Sequence, residues 1–200
     1  MIAVVDYKAG NLTSVLKGLR AAGAAPVVTA DPDAIAGADA IVIPGVGHFG
    51  ATAAITPEVR RTLLDAAHGG TPILGICLGL QFLFEGSTEA PDVPGLALFR
   101  GTCSLLRAGG PVKIPHVGWN SLSILGPSTL LAGIADGAQV YFTHSYGAPV
   151  TDATIATCEH GGLFSAVVER SRVFGVQFHP EKSAGAGLDI LGAFVRVARC

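Results

Sequence analysis

The stretch Thr71–Phe84, which reads TPILGICLGLQFLF, decides how the rest of the chain is interpreted. Its first part, Thr71–Ile76, is a short apolar run of the kind that forms a buried β-strand. Its last part, Leu78–Phe84, is typical of the start of a helix. Cys77 stands at the junction of the two parts. The stretch therefore predicts a strand, a tight turn and a helix, with a thiol at the turn.

The sequence upstream alternates in the same way between short apolar runs and longer helical patterns. The other predicted strands of the first half are Ile2–Asp6, Pro26–Thr29 and Ala40–Pro44. One predicted helix runs from a capping Asn11 to a stop at Gly23, and another covers Glu58–Ala67. Strands and helices that alternate in this order build a parallel sheet covered on both faces.

The second half of the chain has a different pattern. Short strand signals with Gly and Pro turns fill the region from Gly95 to Glu169, Val173–Phe178 is again strand-like, and a C-terminal helix is predicted over Leu188–Ala198. The sequence has no repeat, low-complexity segment or linker, so we expect residues 1–200 to form one domain. The predicted fold is α/β: a three-layer, flavodoxin-like sandwich with a mostly parallel central sheet and antiparallel additions in the second half.

The composition excludes several classes of protein. Half of the 200 residues are hydrophobic and only 14% are charged, against about 25% in an average soluble chain. The longest strongly apolar run, Ile73–Phe84, is shorter than the roughly 18–20 residues of a spanning helix, so no membrane segment is expected. A net charge of −2 provides no basic surface for nucleic acid. The low charge indicates either a deeply buried core or an apolar surface that meets a partner.

The cysteines indicate a reducing compartment. Cys77, Cys103, Cys158 and Cys200 are widely spaced and form neither a CxxC pair nor a zinc-like cluster, so no metal site is expected. The N-terminal MIAVVDY lacks the basic and apolar regions of a signal peptide. We therefore expect a cytoplasmic protein whose thiols are free for chemistry.

Cys77 occupies the position of a nucleophile. Gly75-Ile76-Cys77-Leu78-Gly79 is the nucleophile-elbow pattern with Cys in the place of Ser. The sharp turn lifts the side chain clear of the sheet, and the start of the helix favours a thiolate. The N–H of Leu78 would then point to where an oxyanion forms. A buried core cysteine is the alternative interpretation.

A base and its orienting group are predicted after the strand Val173–Phe178. His179 and Glu181 are two residues apart, and such residues of an extended segment lie on one side. Pro180 would keep the segment from becoming helical. A carboxylate that holds an imidazole beside a thiol completes a catalytic triad. The alternative interpretation is that these residues belong to a surface loop at the end of a strand.

The segment Pro44-Gly45-Val46-Gly47 follows another predicted strand. Its glycines would let backbone N–H groups turn toward a bound carbonyl oxygen, which suggests a second oxyanion donor. A plain tight turn is the alternative.

These segments, in this order, resemble the class I triad glutamine amidotransferases and, among them, the glutaminase subunits of imidazole glycerol phosphate synthases. The matching segments are Asp6-Tyr7 with Gly10-Asn11-Leu12, PGVG at 44–47, GICLGLQFLFEGSTE at 75–89, IPHVGWN at 114–120, HSY at 144–146 and GVQFHPEKS at 175–183. IPHVGWN and HPEKS are the segments that distinguish this subfamily from other amidotransferase domains.

The resemblance implies a mechanism that needs no cofactor. Cys77 would attack the side-chain amide of glutamine, His179 would pass the thiol proton to the leaving ammonia, and Glu181 would orient His179. Water would then hydrolyse the glutamyl thioester. The implied oxyanion donors lie at Val46 and Leu78. The residues implied in holding glutamine are Gly45, Gly47, Gln81, Glu89, His144, Ser145 and Tyr146, with Glu89 pairing with the α-ammonium group.

The resemblance also implies a partner. Ammonia loses its nucleophilicity when bulk water protonates it, so it should pass by a dry route into a (β/α)₈ cyclase subunit. In the family this heterodimer makes imidazole glycerol phosphate in histidine biosynthesis, and we expect little glutaminase activity from the chain alone. Trp119, Asn120 and Lys182 would lie near the contact, although Trp119 is almost as well explained as a core aromatic.

A few residues depart from the pattern or have no matching role. Lys8 follows Tyr7 where Gly is frequent, which bears on the geometry of that loop, and Val117 stands where Met is common. Cys103 and Cys158 are expected to be small apolar residues and Cys200 a frayed terminus. No role is assigned to His48, His68 or His160.

Three other functions remain open. The same glutaminase could serve another synthase, such as the pyridoxal phosphate or aminodeoxychorismate systems, and residues 114–120 argue against this. The domain could be a structural subunit without activity, against which the intact Cys77, His179 and Glu181 argue. It could also be another thiol hydrolase built on a similar elbow.

Overall fold

The computed structural model describes residues 1–9, 11–107 and 112–199. Gly10 and Cys200, both named above, lie outside the described residues. The strands are β1 (Ile2–Val5), β2 (Pro26–Thr29), β3 (Ala40–Ile43), β4 (Ile73–Ile76), β5 (Gly86–Ser87), β6 (Thr102–Leu105), β7 (His116–Ser121), β8 (Ser123–Ile124), β9 (Gln139–His144), β10 (Tyr146–Gly147), β11 (Thr154–Glu159), β12 (Leu163–Arg170) and β13 (Val173–Val176). The α-helices are α1 (Leu12–Ala21), α2 (Pro32–Ala36), α3 (Pro57–His68), α4 (Leu78–Leu83) and α5 (Ala184–Val197), and 3₁₀ helices span Phe49–Ala54 and Pro180–Lys182.

An eight-stranded sheet runs through the centre of the molecule in the order β2-β1-β3-β4-β13-β12-β11-β8. Its first five strands are parallel, and β12, β11 and β8 continue it in antiparallel pairing. The parallel part has the flavodoxin-like order, with β13 as the fifth strand. The predicted fold, including the antiparallel additions of the second half, is confirmed.

Alternate residues of the parallel strands point to opposite faces of the sheet and feed two cores. Val4, Val42 and Ile76 pack with α1, α5 and β9 on one face. On the other face, alternating residues such as Val5 and Ile43 pack with α2, α3 and α4. All four residues of β1, β3, β4 and β13 are buried, which explains why these strands are continuously apolar in the sequence. The sheet and its two covering layers form the three-layer sandwich.

Two smaller sheets lie beside the central sheet. One has the order β10-β6-β5, and the other is the antiparallel pair of β7 and β9. β7 and β9 pair along their whole length, from His116 opposite His144 to Ser121 opposite Gln139. This pair joins the IPHVGWN and HSY segments, which are far apart in the sequence.

Some boundaries differ from the predictions. Strand β2 has the predicted bounds, and β4 ends at Ile76 as predicted but begins at Ile73 rather than Thr71. Three strands end one or two residues earlier than predicted, so that Asp6, Pro44 and residues 177–178 follow them as loop residues. The C-terminal helix begins at Ala184 rather than Leu188, because its first turns contain glycines that weaken the helical signal. One of these, Gly187, is required by packing, since a Cβ there would lie 1.9 Å from the Pro180 oxygen.

Some elements were absent from the prediction. Helix α2 has five residues and the 3₁₀ helix Phe49–Ala54 has six, too few for a helical period to appear in the sequence. Among the described residues, no helix is both long and apolar enough to cross a bilayer.

Candidate active site

Cys77 forms the turn between β4 and α4 in a strained conformation. Its φ is 53° and its ψ is −104°, values that non-glycine residues rarely adopt. The Cys77 N–H donates to the Val176 oxygen at 2.8 Å, and the Cys77 oxygen accepts from the Gln81 N–H at 3.1 Å. A Cβ on Gly79 would lie 1.8 Å from the Ile43 oxygen. The turn therefore needs the small residue that the sequence provides after Cys77.

The Cys77 side chain opens into a cavity of about 270 Å³. The residues that line it are Val46, Gly47, Cys77, Leu78, Gln81, Glu89, Pro115, Thr143, His144, Ser145 and Tyr146. The oxyanion and substrate residues expected from the sequence are thus brought together around the thiol, with Gly45 as the exception. Gly45 lies behind the loop, where an added Cβ would be 2.1 Å from Tyr7 Oη and 2.8 Å from Leu78 Cβ. A glycine at this position lets the loop pack closely against Tyr7 and Leu78.

The loop that contains Val46 and Gly47 is tied to its surroundings at both ends. Tyr7 Oη donates to the Pro44 oxygen at 2.6 Å, and burial raises the pKa of this tyrosine. Gly47 has a φ of 103°, in the region that favours glycine. Beyond the loop, the Phe49 N–H donates to Glu89 Oε2 at 2.7 Å. This bond fixes the carboxylate at the rim of the cavity.

Lys8 stands where the sequence comparison above expects Gly. Lys8 has a φ of 65°, the left-handed conformation that a glycine adopts freely. Its backbone N–H donates to Asp6 Oδ1 at 3.0 Å, and its ammonium group lies 3.4 Å from Asp6 Oδ2. The Asp6 side chain thus supports a lysine in this conformation.

His179 and Glu181 form a buried pair. His179 Nδ1 donates to Glu181 Oε1 at 2.8 Å, and each side chain is 2% exposed. Burial alone would lower the pKa of His179, but its contacts with Cys77 and Glu181 raise it to about 9. His179 Nε2 is buried and has no hydrogen-bond partner among the described residues. Nε2 is therefore available to exchange a proton, and Cys77 is near enough to raise the pKa of the ring.

One detail of the predicted geometry at this pair is wrong. Pro180 was expected to keep the segment extended, but Pro180–Lys182 form a 3₁₀ helix. Proline fits the first position of a helix, where its missing N–H is not needed. The turn is anchored by Ser183, whose hydroxyl donates to the His179 oxygen at 2.7 Å and accepts from the Tyr141 N–H at 2.9 Å. Glu181 reaches the imidazole from within this turn.

The comparison with known proteins agrees with this arrangement. A sequence model described as glutamine amidotransferase class-I matches residues 3–196. The chain belongs to the class-I glutamine amidotransferase family. Its relatives include proteins named imidazole glycerol phosphate synthase subunit HisH. The one from Thermococcus kodakarensis is 47% identical over 203 residues, covering 98% of this chain and 100% of the relative, and the one from Methanothermobacter thermautotrophicus is 46% identical over 200 residues, covering 100% of both.

Solved structures share the fold of this amidotransferase at low sequence identity. One described as a glutamine amidotransferase has a TM-score of 0.77 at 15% identity and covers 100% of both chains. One described as PurLQS from Thermotoga maritima has a TM-score of 0.73 at 19% identity, covering 98% of this chain and 97% of the other. At such identities the likeness concerns the fold alone.

A chain of hydrogen bonds, absent from the sequence-based predictions, supports one wall of the amidotransferase cavity. His144 Nδ1 faces the Tyr146 oxygen at 2.8 Å, His116 Nδ1 faces His144 Nε2 at 3.1 Å, and Asn120 Nδ2 faces His116 Nε2 at 3.3 Å. Because the Tyr146 oxygen can only accept, both rings carry their proton on Nδ1, and the Asn120 amide donates. Each ring is neutral and fixed in one tautomer.

The environment of the two histidines keeps them neutral. Burial, helped by the nearby His144 and His160, lowers the pKa of His116 to about 3. Burial is also the main reason why the pKa of His144 falls to about 4. His160, to which the sequence assigned no role, stacks on His116 with ring centroids 3.9 Å apart and faces the Lys113 oxygen at 2.8 Å through Nε2. The three rings act as packing and hydrogen-bonding groups.

Of the residues expected at a partner contact, Trp119 and Lys182 lie around Tyr141 on one side of the β7–β9 pair, whereas the Asn120 side chain points to the other side, toward His116. Trp119 is 53% exposed, so its interpretation as a core aromatic is wrong. Its ring centroid lies 6.1 Å from that of Tyr141, over which the Lys182 ammonium sits at 5.8 Å. Asn120 donates to the Glu159 oxygen at 3.1 Å as well as to His116. Asn120 thus belongs to the hydrogen-bond chain on that other side.

The remaining cysteines have the surroundings of core residues. Cys103 and Cys158 are buried, and neither is in a disulfide. Burial raises the pKa of the Cys103 thiol, and it raises that of Cys158 to about 12. No group of three or more potential metal ligands occurs among the described residues.

Sequence reasoning missed three polar residues of the site. Thr143 lies at the cavity, with its carbonyl oxygen 3.9 Å from Cys77 Sγ, and His116 stands behind His144. Gln177 is fully buried, and its Nε2 lies 3.6 Å from Cys77 Sγ. A signal for Gln177 was available, because an amide at the end of an apolar strand needs a polar partner.

Proposed function

We propose that this amidotransferase hydrolyses glutamine to glutamate and ammonia through a thioester on Cys77. We further propose that it passes the ammonia to a cyclase subunit that makes imidazole glycerol phosphate in histidine biosynthesis. The observation that carries the proposal is the buried His179–Glu181 pair acting on an elbow cysteine that opens into a small cavity. The relatives named imidazole glycerol phosphate synthase subunit HisH support the choice of pathway. In this proposal, residues 1–200 are one glutamine amidotransferase domain.

The proposed chemistry follows from the protonation of His179. With a pKa of about 9, the ring holds a proton on Nε2 at neutral pH. The Cys77 thiolate, whose proton His179 holds, attacks the side-chain carbonyl carbon of glutamine, and His179 gives this proton to the amide nitrogen, which leaves as ammonia. Water then attacks the thioester carbonyl, gives a proton to His179 and displaces the Cys77 sulfur. Glu181 keeps Nδ1 as the donor to the carboxylate, so Nε2 remains the atom that exchanges protons.

The oxyanion of each tetrahedral intermediate needs two N–H donors. The Leu78 N–H belongs to the first turn of α4, where backbone donors lack intrahelical partners, and Leu78 lines the cavity. The second donor in this proposal comes from the loop at Val46 and Gly47, on the same cavity. Gly47, with its positive φ, gives this loop the freedom to present an N–H group.

The cavity suits an amino acid. Its volume of about 270 Å³ is small for a ligand site, since ligand pockets commonly hold about 300–1,000 Å³. In the proposal Glu89 binds the α-ammonium group, because a carboxylate at the rim selects a cationic amine. Gln81, His144, Ser145 and Tyr146 line the remaining wall.

The proposed cyclase contact includes Trp119, Asn120 and Lys182, with Trp119 and Lys182 on the exposed side of the β7–β9 pair and the Asn120 side chain on the other side. Trp119 and its neighbour Val117 are more than half exposed, and an exposed aromatic with an apolar neighbour is typical of an interface. Another synthase as the partner is less well supported, because the named relatives are subunits of imidazole glycerol phosphate synthase. The three described cysteines are free, which fits a cytoplasmic heterodimer.

The proposal is tested on the complex with a cyclase subunit of imidazole glycerol phosphate synthase. We expect Cys77→Ala to abolish glutamine-dependent synthesis and glutamine hydrolysis, while synthesis from added ammonium salts and binding to the cyclase persist. Cys158→Ala is the matched control, since Cys158 is also a buried free thiol, and it should keep both activities. Glutamine hydrolysis by Cys77→Ala at the wild-type rate would contradict the thioester route.

Two further results separate the alternatives. If the chain co-purifies with a different synthase from its own cells and not with the cyclase, the pathway is wrong although the chemistry stands. If a thiol-directed glutamine analogue fails to label Cys77 in the complex, the chain is a structural subunit or a hydrolase with another substrate.

A further inference from the structure

Gln177 lies where β13 ends and is fully buried beside the nucleophile. Its backbone N–H donates to the Ala166 oxygen at 2.9 Å, which anchors the residue to the neighbouring strand β12. Its side-chain Nε2 lies 3.6 Å from Cys77 Sγ, and its Oε1 lies 3.2 Å from Gln81 Nε2. The proposed mechanism above gives this residue no role.

The surrounding hydrogen bonds fix which end of the Gln177 amide faces the sulfur. Gln81 Nε2 lies 2.8 Å from the backbone oxygen of Tyr146, which can only accept. The group that Gln81 turns toward Tyr146 must therefore be its NH₂, and the second hydrogen of that NH₂ points to Gln177. Gln177 must present its oxygen there, so its own NH₂ faces Cys77. Rotating Gln81 would set two acceptors against each other at Tyr146, and rotating Gln177 would set two NH₂ donors against each other, in both cases in a buried site.

We propose that Gln177 is a catalytic residue that donates a hydrogen bond from Nε2 to Cys77 Sγ and stabilises the negative charge on this sulfur. Gln81 acts as a positioning residue that holds the Gln177 amide in this orientation. The inference rests on the proposed function, because it assigns a role within the same glutaminase reaction. No proton is transferred in this contact; the hydrogen stays on Nε2 throughout.

The contact has the energetic form that catalysis needs. A thiolate accepts hydrogen bonds strongly, whereas the neutral sulfur of a thioester accepts them weakly. The donor therefore favours the charged sulfur before attack and again as the sulfur leaves during thioester hydrolysis. Another contact of the sulfur, the Thr143 carbonyl oxygen at 3.9 Å, is an acceptor and can serve only the protonated thiol. An uncharged donor also stabilises the thiolate without competing with His179 for its proton.

Two substitutions separate the donor from the packing of the side chain. Gln177→Glu keeps the shape and the acceptor for Gln81 but replaces the donor at the sulfur by a carboxylate oxygen. Gln177→Met keeps much of the volume and removes both polar ends. Ser165→Ala is the control for a lost buried polar group, because Ser165 is fully buried and its hydroxyl bonds with Thr154 and the Pro149 oxygen at 2.7 and 2.6 Å.

The first readout is the pH dependence of Cys77 alkylation by iodoacetamide in the full chain. We expect the pH of half-maximal alkylation to rise in Gln177→Met and to rise further in Gln177→Glu, where a carboxylate replaces the donor. The second readout is glutaminase kinetics in the complex with the cyclase. We expect kcat to fall roughly tenfold or more, as for the loss of a charge-assisted hydrogen bond, with KM changed by less than about threefold because Gln177 does not line the glutamine cavity. Ser165→Ala should lower the melting temperature and leave both readouts at wild-type values.

A merely structural role would lower stability without moving the alkylation profile, and this result in folded Gln177→Met and Gln177→Glu would overturn the inference. If neither variant folds, the side-chain NH₂ resonances of Gln177 are followed by NMR in the wild-type protein. They should move at the pH at which Cys77 becomes reactive, and resonances that stay constant there would also overturn it. A complex that fails to hydrolyse glutamine would contradict the proposed function. The alkylation test of Gln177 would still give a result, because alkylation needs no glutamine.

Discussion

At Cys77 the backbone takes a conformation that most residues avoid, and the small neighbour Gly79 makes it possible. The Gly79 position is closed by backbone, since a Cβ would come within 1.8 Å of the Ile43 oxygen. Backbone atoms on adjacent strands cannot move aside without distorting the sheet. The elbow is therefore held rigidly in the position from which its side chain reaches the cavity.

Gly79→Ala is accordingly expected to be severely destabilising, by about 3 kcal/mol or more, as overpacking against a fixed backbone. Gly185→Ala is the matched control. Gly185 lies in α5 with open space around it, and alanine favours helices over glycine by roughly 1 kcal/mol. The free energy of unfolding in urea measures both changes. Equal stability of the two variants would show that β3 and the elbow are not packed as described.

Two neighbours oppose the effect of burial and raise the pKa of His179: first Cys77, and then its carboxylate partner Glu181. Glu181→Gln removes the negative charge 2.8 Å from Nδ1, so the pKa of His179 should fall from about 9. NMR titration of the ring nitrogens measures this directly, and kcat should fall with it because a smaller fraction of His179 would carry the proton at neutral pH. An unchanged titration curve would mean that the charge on Glu181 does not act on the ring.

The sequence indicates the proposed catalytic residues because their side chains are reactive or charged in any orientation. Cys77, His179 and Glu181 each carry a reactive or charged group at the end of an apolar strand. Gln177 could not be assigned in the same way, because an amide donates or accepts according to its orientation. That orientation is set by Gln81 and by the backbone of Tyr146, which come from separate segments.

At the scale of elements, the carboxyl ends of β3, β4 and β13 bring the loop of Gly47, the elbow and the His179 turn to one edge of the sheet. The strands themselves were predictable, because fully buried parallel strands are continuously apolar. The β7–β9 pair was not predictable as a pair, because β7 is only partly buried and its partner lies after an irregular stretch. The 3₁₀ turn at Pro180 was also missed, because proline fits an extended segment and a helix start equally well.

The face of the β7–β9 pair gives a prediction about binding. Trp119→Ala should weaken binding of the cyclase subunit, on the order of tenfold or more, because exposed tryptophans often dominate an interface. Its melting temperature should stay close to that of the wild type, since the side chain is half exposed. Val27→Ala is the control: Val27 is 45% exposed but lies on β2, an edge strand of the central sheet, whereas Trp119 belongs to the separate β7–β9 sheet. Titration calorimetry measures the affinity of each variant for the cyclase. Equal affinities of Trp119→Ala and Val27→Ala would show that the cyclase does not bind at Trp119.

At the scale of the whole molecule, buried histidines connect stability to pH with opposite signs. His116 and His144 have depressed pKa values of about 3 and 4, so the unfolded chain binds more protons than the folded one below pH 6.5. His179 has a raised pKa of about 9, so the folded chain binds more protons between pH 6.5 and 9. The stability that depends on neutral His116 and His144 is therefore lost as the pH falls below 6.5. The stability that depends on protonated His179 is lost as the pH rises from 6.5 to 9.

The free energy of unfolding should therefore be highest near pH 6.5 as far as these histidines determine it, and urea denaturation across the range from about pH 5 to about 9 measures it. In Glu181→Gln the decline between pH 6.5 and 9 should become shallower, because the pKa of His179 is closer to its unfolded value. A wild-type stability that rises steadily from pH 6.5 to 9 would contradict the assigned protonation of His179.

The sheet order was predictable from the alternation of strands and helices, because right-handed crossovers between parallel strands leave few topologies. The way in which the second half closes the site was not, because it depends on pairings between short strands distant in the sequence. The cavity walls at Thr143 and His144 arise from the pairing of β7 with β9.

The central claim, a covalent glutamyl group on the elbow cysteine, is tested most directly by mass spectrometry of the complex quenched in acid during glutamine turnover. The account predicts a glutamyl adduct on the peptide that contains Cys77, absent from the peptides of Cys103 and Cys158 and absent in Cys77→Ala. Rapid glutamine turnover with an unmodified Cys77, under conditions in which a chemically prepared thioester survives the quench, would contradict it.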